Sequence, residues 1–215
     1  MPYFLSRAMA VLLAGTTLFG PLATSEALGQ TAVIRDMILN DPAAAVGGNP
    51  QGDVTIVAFV DYNCPFCKRS SKDLEIVANE DGNIRLIYKD WPVIAPTSLY
   101  GAQLAIASNY QRKYEIAHRA LMAIPGFNIL QEEMREALSK AGIDMKRLNS
   151  DLVANAAEID GLVRRNLSIG DTLSFAGTPV YLVGPYMTST LDVDGFKKVV
   201  AAARTRTASD TQSRQ

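Results

Sequence analysis

Hydrophobic positions along the chain predict an α/β unit in its first half. A continuous, β-branched apolar run covers residues 54–60, which is the pattern of a strand covered on both faces. Apolar side chains recur at helical spacing over residues 68–78, and a second apolar run follows at residues 84–88. A strand, a helix and a strand in this order predict a parallel pair with a crossover connection.

The pattern changes over residues 97–175, where strand signals are few and Ala, Leu, Glu, Lys and Arg dominate. Breaks at Pro125-Gly126 and Ala141-Gly142 divide this stretch into helices. The predicted helices cover residues 97–110, 112–123, 130–140 and 145–168. Apolar strands are predicted again at residues 179–183 and 186–191, followed by an amphipathic helix at residues 193–203.

These elements predict an α/β fold in which a helical subdomain is inserted into a small sheet-containing domain. A chain of 215 residues is long enough to bury one such core. The predicted divisions are residues 1–29 for a signal peptide, 30–52 for a short amino-terminal segment, 53–96 and 176–204 for the sheet-containing domain, 97–175 for the inserted helices and 205–215 for a disordered polar tail.

The first residues have the pattern of a cleavable secretory signal. Arg7 precedes an apolar run that stops at Pro21 and is too short to span a bilayer. Small residues after Pro21 offer cleavage sites, so we expect the mature chain to begin between Glu26 and Thr31. The alternative is an uncleaved membrane anchor. Export predicts a periplasmic or secreted protein, in a compartment where cysteines can cycle between thiol and disulfide.

The overall charge favours neither a nucleic acid nor an anionic membrane as a partner. The chain has 21 Lys and Arg against 22 Asp and Glu, and its formal net charge is -1. We therefore expect no binding to nucleic acid, and partners that are recognised through local surfaces.

The two cysteines, Cys64 and Cys67, lie between the first predicted strand and the helix that follows it. This placement puts Cys64 at a helix amino terminus, where unpaired N–H groups and the helix dipole favour a thiolate over a thiol. Pro65 suits the first helical position because its φ is already helical. Cys67 falls one turn inward and is predicted to be the more buried. The pair therefore predicts thiol–disulfide exchange, in which Cys64 forms the mixed disulfide and Cys67 resolves it.

A structural disulfide, a zinc site and chance spacing each account for the cysteine pair less well. A structural disulfide across so short a loop would restrain the unfolded chain little. A zinc site would need more soft ligands, and the sequence adds only His118. Chance spacing does not explain why the pair lies between a strand and a helix. We predict no metal, and no cofactor other than the redox-active Cys64–Cys67 disulfide.

Three features together resemble the DsbA-like branch of the thioredoxin superfamily. They are residues 61–68 after an apolar strand, the helical insertion, and Gly177-Thr178-Pro179 before the last strands. Residues 48–55 and 61–64 are most similar to the Com1/ScsC-like group of that branch. The resemblance covers residues 41–203 and implies a thioredoxin fold with an inserted α-helical subdomain.

The resemblance also implies a substrate-docking edge. An X-Pro bond is cis in only about 5% of cases, but in this family the proline that matches Pro179 is cis and faces the active-site disulfide. Thr178 and Pro179 are therefore expected to pair with an extended polypeptide beside Cys64. The implied partners are cysteine-containing exported polypeptides and a membrane redox protein that recycles the active site.

The chain departs from the family pattern near the cysteines. The family prototype has a histidine where this chain has Phe66, which cannot donate a hydrogen bond to the Cys64 thiolate, so we expect a higher Cys64 pKa and a weaker oxidant. Relatives commonly carry a buried acid at the position of Ala58, where it helps to move protons. Asp61 is either a substitute proton relay or a solvent-facing loop acid. The short amino-terminal segment favours a monomer over the oligomers of ScsC-like relatives.

The sequence thus predicts an exported enzyme that introduces, reduces or isomerises disulfides through Cys64, Pro65, Phe66 and Cys67, with the direction open. The alternative is an exported chaperone or copper-handling protein that uses the two cysteines as ligands. A glutathione-dependent transferase or isomerase fits poorly with export and with a complete cysteine pair.

Overall fold

The computed structural model describes residues 22–212, which form a mixed five-stranded sheet with helices on both of its faces. Within these residues the strands are β1 (Val46–Gly48), β2 (Val54–Val60), β3 (Ile84–Asp90), β4 (Val180–Val183) and β5 (Tyr186–Thr188). The helices are α1 (Leu22–Leu39), α2 (Pro65–Asp81), α3 (Ser98–Ser108), α4 (Tyr114–Met122), α5 (Gln131–Lys140), α6 (Met145–Ala154), α7 (Ala156–Thr172) and α8 (Val193–Gln212), with a short 3₁₀ helix at Asn109–Gln111.

The strand order is β1-β3-β2-β4-β5, so the strand that precedes the cysteines is the central one. β2 runs parallel to β3 over its whole length, from the pair Val54–Ile84 to the pair Val60–Asp90. The other strand pairs are antiparallel. Helix α2 therefore starts at the carboxyl end of a central strand, where reactive groups gather in open α/β sheets.

Alternate residues of β2 enter two separate hydrophobic cores, because both faces of the sheet are covered. Ile56 and Ala58 belong to the larger core, which α2, α8 and the inserted helices complete. Val57 and Phe59 belong to the smaller core, to which α1 and α7 contribute. This explains why the strand is apolar throughout and does not alternate with polar residues.

The helical insert contains one helix more than predicted. The prediction of a single helix over residues 145–168 is wrong, because Asn155 interrupts it between α6 and α7 with a φ of -114° and a ψ of 19°. The Asn155 side chain donates from Nδ2 to the carbonyl oxygen of Asp151 at 3.0 Å. Such side-chain bonds to the backbone compete with the helical ladder.

Helix α7 joins the insert to the sheet. Its residues Ile159 and Leu162 lie in the larger core, whereas Ile169 lies in the smaller one. The backbone at Gly170 passes so close to Trp91 that a Cβ there would lie 2.6 Å from the indole ring. A glycine is therefore required for this packing.

The sheet begins earlier in the chain than predicted. β1 pairs with β3, so the segment over residues 30–52 is part of the sheet-containing domain and the predicted boundary at residue 53 is too late. The sequence pattern does not indicate this strand, because it has only three residues, of which Gly47 and Gly48 have low strand propensity. Gly48 has a φ of 60°, a conformation that favours glycine.

Part of each terminus lies outside the described residues. Residues 1–21, most of the predicted signal peptide, fall there, and the predicted cleavage region between Glu26 and Thr31 lies within α1. The helix predicted over residues 33–39 is the last part of α1. No helix in residues 22–212 is long and apolar enough to cross a bilayer.

The prediction of a disordered tail from residue 205 is wrong up to residue 212, because α8 extends to Gln212. Hydroxyl side chains of the polar tail donate to backbone carbonyl oxygens one turn earlier, as Thr205 does to Ala201 at 3.1 Å. Arg204 anchors the helix by donating to Asp53 at 2.8 Å and to Asp81 at 2.7 Å.

A buried ion cluster holds the chain after α1 to α7 and to the sheet. The Asp41 carboxylate accepts hydrogen bonds from Arg165 Nε at 2.7 Å and Nη2 at 3.0 Å, and Lys89 Nζ lies 3.9 Å from it. The Lys89 side chain is fully buried, and its ammonium donates to the carbonyl oxygen of Met37 at 2.8 Å. Burial lowers the pKa of Lys89 to about 8, against the opposing effect of the Asp41 charge.

Replacing Asp41 with Asn should lower the free energy of unfolding by about 3 kcal/mol, mainly because the fully buried Lys89 then loses its carboxylate. The Arg165 side chain is 38% exposed and should contribute less. Urea unfolding followed by circular dichroism measures this change. The control is Glu136→Gln, which removes the exposed partner of Lys140 and should leave stability almost unchanged. A loss for Asp41→Asn no larger than that of the control would contradict the role of the cluster.

Candidate active site

Cys64 lies at the turn between β2 and α2 and is itself the N-cap residue of the helix. Its φ and ψ are -85° and 115°, and its Sγ accepts a hydrogen bond from the N–H of Cys67 at 3.4 Å. Pro65 is the first helical residue. The thiol thus takes the place of the oxygen that commonly caps a helix, and it meets the otherwise unpaired N–H groups of the first turn.

Both cysteines are free thiols, and both are buried. Cys64 exposes 2% of its surface and Cys67 exposes 0%, so exposure separates the two less than the sequence predicts. Phe66, which lies between them in the chain, is about half exposed and forms the tip of the motif.

The pKa values of the two thiols shift in opposite directions. The pKa of Cys64 is lowered to about 6, first by a hydrogen bond with the Cys67 side chain, against the opposing effect of burial, and further by Thr178 and the N–H groups of Cys67 and Phe66. Burial, followed by the hydrogen bond and charge of Cys64, raises the pKa of Cys67 far above its usual value. At neutral pH Cys64 is therefore mainly a thiolate and Cys67 a thiol, as a nucleophile and its resolving partner require.

The Thr178–Pro179 peptide bond is cis, as the family resemblance implies, and Thr178 lies beside the nucleophile. The Cys64 thiol donates to the carbonyl oxygen of Thr178 at 3.3 Å. A thiolate cannot donate that bond. The buried Thr178 hydroxyl has no hydrogen-bond partner within residues 22–212, so it is a donor that the thiolate can use instead.

Asp61, the candidate proton relay, is buried, so the alternative of a solvent-facing loop acid is wrong. One carboxylate oxygen accepts from the N–H of Asn63 at 2.8 Å and the hydroxyl of Ser98 at 2.7 Å. The other accepts from the N–H groups of Val93 at 2.8 Å and Ile94 at 2.9 Å. These four bonds hold three chain segments together. The role of Asp61 in proton transfer stays a prediction.

Asn63, directly before the nucleophile, connects the cysteine turn to the helical insert on two sides. Its Nδ2 donates to Ser98 Oγ at 3.1 Å and Thr97 Oγ1 at 3.3 Å, and its Oδ1 accepts from the N–H of Ile129 at 2.7 Å. The sequence pattern does not single out Asn63, because these partners lie 34 to 66 residues away in the chain.

A second buried acid lies beside the cysteine turn, at the end of β3. Asp90 accepts hydrogen bonds from the Tyr62 hydroxyl at 2.8 Å and the Tyr114 hydroxyl at 2.9 Å, and Tyr62 lies 3.2 Å from His118 Nδ1. Burial raises the pKa of Asp90 to about 7, against the hydrogen bonds from both tyrosines. Burial lowers the pKa of His118 to about 3. Asp90 is not among the predicted site residues. The one sequence signal that could indicate it is its position as a charged residue at the end of an apolar strand.

An apolar groove of about 600 Å³ opens beside Phe66. Phe175, Gly177, Thr178 and the exposed Met187 line it. Its volume and apolar lining suit the side chains of an extended polypeptide. Within residues 22–212, no group of three or more His, Cys, Asp or Glu side chains is placed to hold a metal ion, so metal binding by the cysteines would depend on this pair alone.

Replacing Cys67 with Ala should raise the pKa of Cys64 by about one unit, because it removes the hydrogen bond that contributes most to the thiolate. The rate of iodoacetamide alkylation against pH measures this value, and the wild-type midpoint should lie near 6. Cys67→Ser keeps a hydroxyl donor and should stay closer to the wild type. Equal midpoints in the wild type and Cys67→Ala would rule out this hydrogen bond as the main cause.

Asp90 and His118 should make opposite contributions to the pH dependence of stability. The raised pKa of Asp90 stabilises the fold fully below about pH 4, and this stabilisation is lost as the pH rises through about 7. The lowered pKa of His118 stabilises it above about pH 6.5, and that contribution is lost as the pH falls through about 3.

The Asp90→Asn variant removes only the first of these contributions and keeps an acceptor for both tyrosines. The free energy of unfolding of Asp90→Asn minus that of the wild type should increase by up to about 3 kcal/mol as the pH rises from 4.5 to 8, because only the wild type loses the Asp90 contribution over this range. Urea unfolding at several pH values measures the difference. Parallel curves for the two proteins would show that Asp90 does not titrate in this range.

Several solved structures are similar to this fold. A thioredoxin-like oxidoreductase from Silicibacter pomeroyi is 34% identical, with a TM-score of 0.73 over 80% of this chain and 98% of the other. The thiol-disulfide exchange protein α-DsbA2 from Wolbachia pipientis is 25% identical, with a TM-score of 0.74 over 85% of this chain and 98% of that protein's chain. The catalytic domain of Proteus mirabilis ScsC, at 22% identity, has a TM-score of 0.72 over 81% and 97%, a likeness of fold alone. The expected DsbA-like thioredoxin fold is confirmed.

Curated sequences that match are Na(+)/H(+) antiporters of the NhaA type. One from Salinispora tropica is 24% identical over 174 residues, which are 75% of this chain and 25% of that protein. One from Mycobacterium sp. (strain KMS) is 23% identical over 141 residues, 64% of this chain and 23% of that protein. This chain spans about a quarter of the length of these relatives. The thioredoxin family profile matches residues 40–202, and the chain belongs to the thioredoxin family.

Proposed function

We propose that this protein is an exported thiol:disulfide oxidoreductase, which exchanges disulfides with cysteine-containing polypeptides through Cys64 and Cys67. The observation that carries the proposal is the opposite pKa shift of these two thiols at the start of α2, beside Thr178. Two of the similar structures are described as an oxidoreductase and as a thiol-disulfide exchange protein, which supports the same reaction class.

In the reducing direction, the Cys64 thiolate attacks one sulfur of a substrate disulfide and releases one substrate thiolate. Cys67 then gives up its proton and attacks Cys64 Sγ, which releases the second substrate thiolate and leaves the Cys64–Cys67 disulfide. The cysteine pair loses two electrons and the substrate gains them. Oxidation of a substrate dithiol follows the same steps in reverse, and the lowered pKa of Cys64 favours that direction because it stabilises the reduced pair.

The substrate is an extended polypeptide that lies along Thr178 and Pro179. The apolar groove beside Phe66 receives its side chains, and the backbone before Pro179 pairs with its main chain. The apolar amino-terminal run directs the protein to the periplasm or the exterior. A similar structure from Salmonella enterica is described as a periplasmic thioredoxin-like protein. The protein acts as a monomer, and a membrane redox protein restores its active site.

Insulin reduction and the refolding of scrambled ribonuclease test the activity. The wild type should be active in at least one assay, Cys64→Ser inactive in both, and Cys67→Ser should accumulate a mixed disulfide with the substrate, visible on a non-reducing gel. The surface variant Glu136→Gln is the matched control and should behave as the wild type. A wild type that is inactive in both assays would favour the chaperone or copper-handling alternative.

The direction of electron flow is tested by trapping thiols in intact cells that produce the protein. Rapid acid quenching and alkylation separate the reduced from the oxidised Cys64–Cys67 pair by mass. A mainly oxidised pair identifies an oxidase, and a mainly reduced pair identifies an isomerase or reductase. Labelling of the thiols in intact cells by a reagent that cannot cross the inner membrane tests export, and labelling that appears only after the cells are lysed would contradict it.

A further inference from the structure

A second groove, of about 480 Å³, lies on the α4 side of the cysteine motif. It differs from the apolar groove in both its walls and its charge. One wall is the first part of α2, and the other is the segment that leaves α4. The residues that line it are Pro65, Lys68, Arg69, Lys72, Asp73 and those at positions 122–126. Pro65 directly follows Cys64, so this basic groove begins next to the nucleophile.

The far wall of the basic groove is fastened to the active-site motif. Lys68 is buried, and its ammonium donates to the carbonyl oxygens of Ile124 at 2.5 Å and Gly126 at 2.9 Å. These carbonyls follow the carboxyl end of α4, where a cation is favoured. Asn63 holds Ile129 further along the same loop at 2.7 Å. The loop is thus fixed by one residue before the two cysteines, Asn63, and by one residue after them, Lys68. These bonds fix the shape of the groove.

Two cations of the basic groove are exposed and have no carboxylate partner within residues 22–212. They are Arg69 and Lys72, neither of which forms an ion pair in that part of the chain. The guanidinium of Arg69 lies over the Phe66 ring, 4.9 Å from its centroid, which keeps the charge at the tip of the motif. The opposing charge in the lining is Asp73, and Glu133 lies near the buried Lys68. The groove is therefore positive on a chain of formal net charge -1.

We propose that the basic groove binds acidic side chains of the substrate polypeptide close to the cysteine that reacts with Cys64. This inference rests on the proposed function and specifies its substrates. An extended chain advances about 3.3 Å per residue, so residues a few positions from the substrate cysteine reach Arg69 and Lys72. Their carboxylates supply the anionic partner that these two cations lack. Substrates with glutamate or aspartate beside the reactive cysteine are therefore preferred.

The test measures how fast the reduced protein reacts with three short peptides. Each has one central cysteine, joined in a mixed disulfide to 5-thio-2-nitrobenzoate, and Glu, Gln or Lys occupies the few positions on both sides of the cysteine. Attack by Cys64 releases the coloured thiolate, and resolution by Cys67 releases the other thiol. The protein dithiol is oxidised to the disulfide, while the mixed disulfide is reduced to two thiols.

The Glu peptide should react about three- to tenfold faster than the Gln peptide at low salt, and the Lys peptide more slowly than both. This ratio should fall as salt is added, because the cations are exposed. In the double variant Arg69→Gln/Lys72→Gln, the ratio of the Glu-peptide rate to the Gln-peptide rate should approach one. In the single variant Lys72→Gln, this ratio should lie between one and the wild-type value. The control Lys146→Gln/Arg164→Gln removes the same charges from exposed sites on α6 and α7 and should keep the wild-type ratio.

Each contrary result has a distinct meaning. If no peptide reacts, the proposed function itself fails. If all peptides react but Glu and Gln at equal rates, the activity stands and the role of the basic groove is overturned. If the control lowers the ratio as much as the groove variant does, the preference comes from net charge, and the groove proposal is overturned as well.

Discussion

The position of the cysteine turn depends on the hydrogen bonds of one buried carboxylate, that of Asp61. It accepts four of them, from Asn63 on the turn, from Val93 and Ile94 in the connection after β3, and from Ser98 at the start of α3. A buried carboxylate that lost these donors would destabilise the fold strongly. Since Asn63 directly precedes Cys64, the bonds that satisfy Asp61 also place the nucleophile at the first turn of α2.

Much of the sheet and the motif can be predicted because the signals are local. The predicted bounds of β2 agree with the observed ones, since a seven-residue apolar run between polar segments is unambiguous. The cysteine turn follows from its place between that strand and the next helix. β1 cannot be predicted from three residues, two of them glycine, because its pairing with β3 is decided by the rest of the sheet.

The polar contacts around the active site cannot be predicted, because their partners are distant in sequence. The position of Lys68, directly after Cys67, does not indicate that its side chain is buried, bonded to the backbone of a distant loop and unpaired with any acid within residues 22–212. Asp90 is absent from the predicted site, although Ala58 indicates that the usual buried acid is missing. The sequence predicts the difference between the two cysteines from the helix amino terminus and from exposure. In the structure, the hydrogen bond between the two thiols contributes most to the lowered pKa of Cys64, and burial contributes most to the raised pKa of Cys67.

Helix α7 has a consequence for the mechanics of the whole molecule. It belongs to the inserted segment, yet it fills both cores and supports Trp91 on the far side of the sheet. The insert therefore cannot swing away from the sheet as a rigid lid, because such a motion would pull Ile169 out of the smaller core. The two parts that the chain order separates therefore share both cores, and we expect them to unfold together as one cooperative unit.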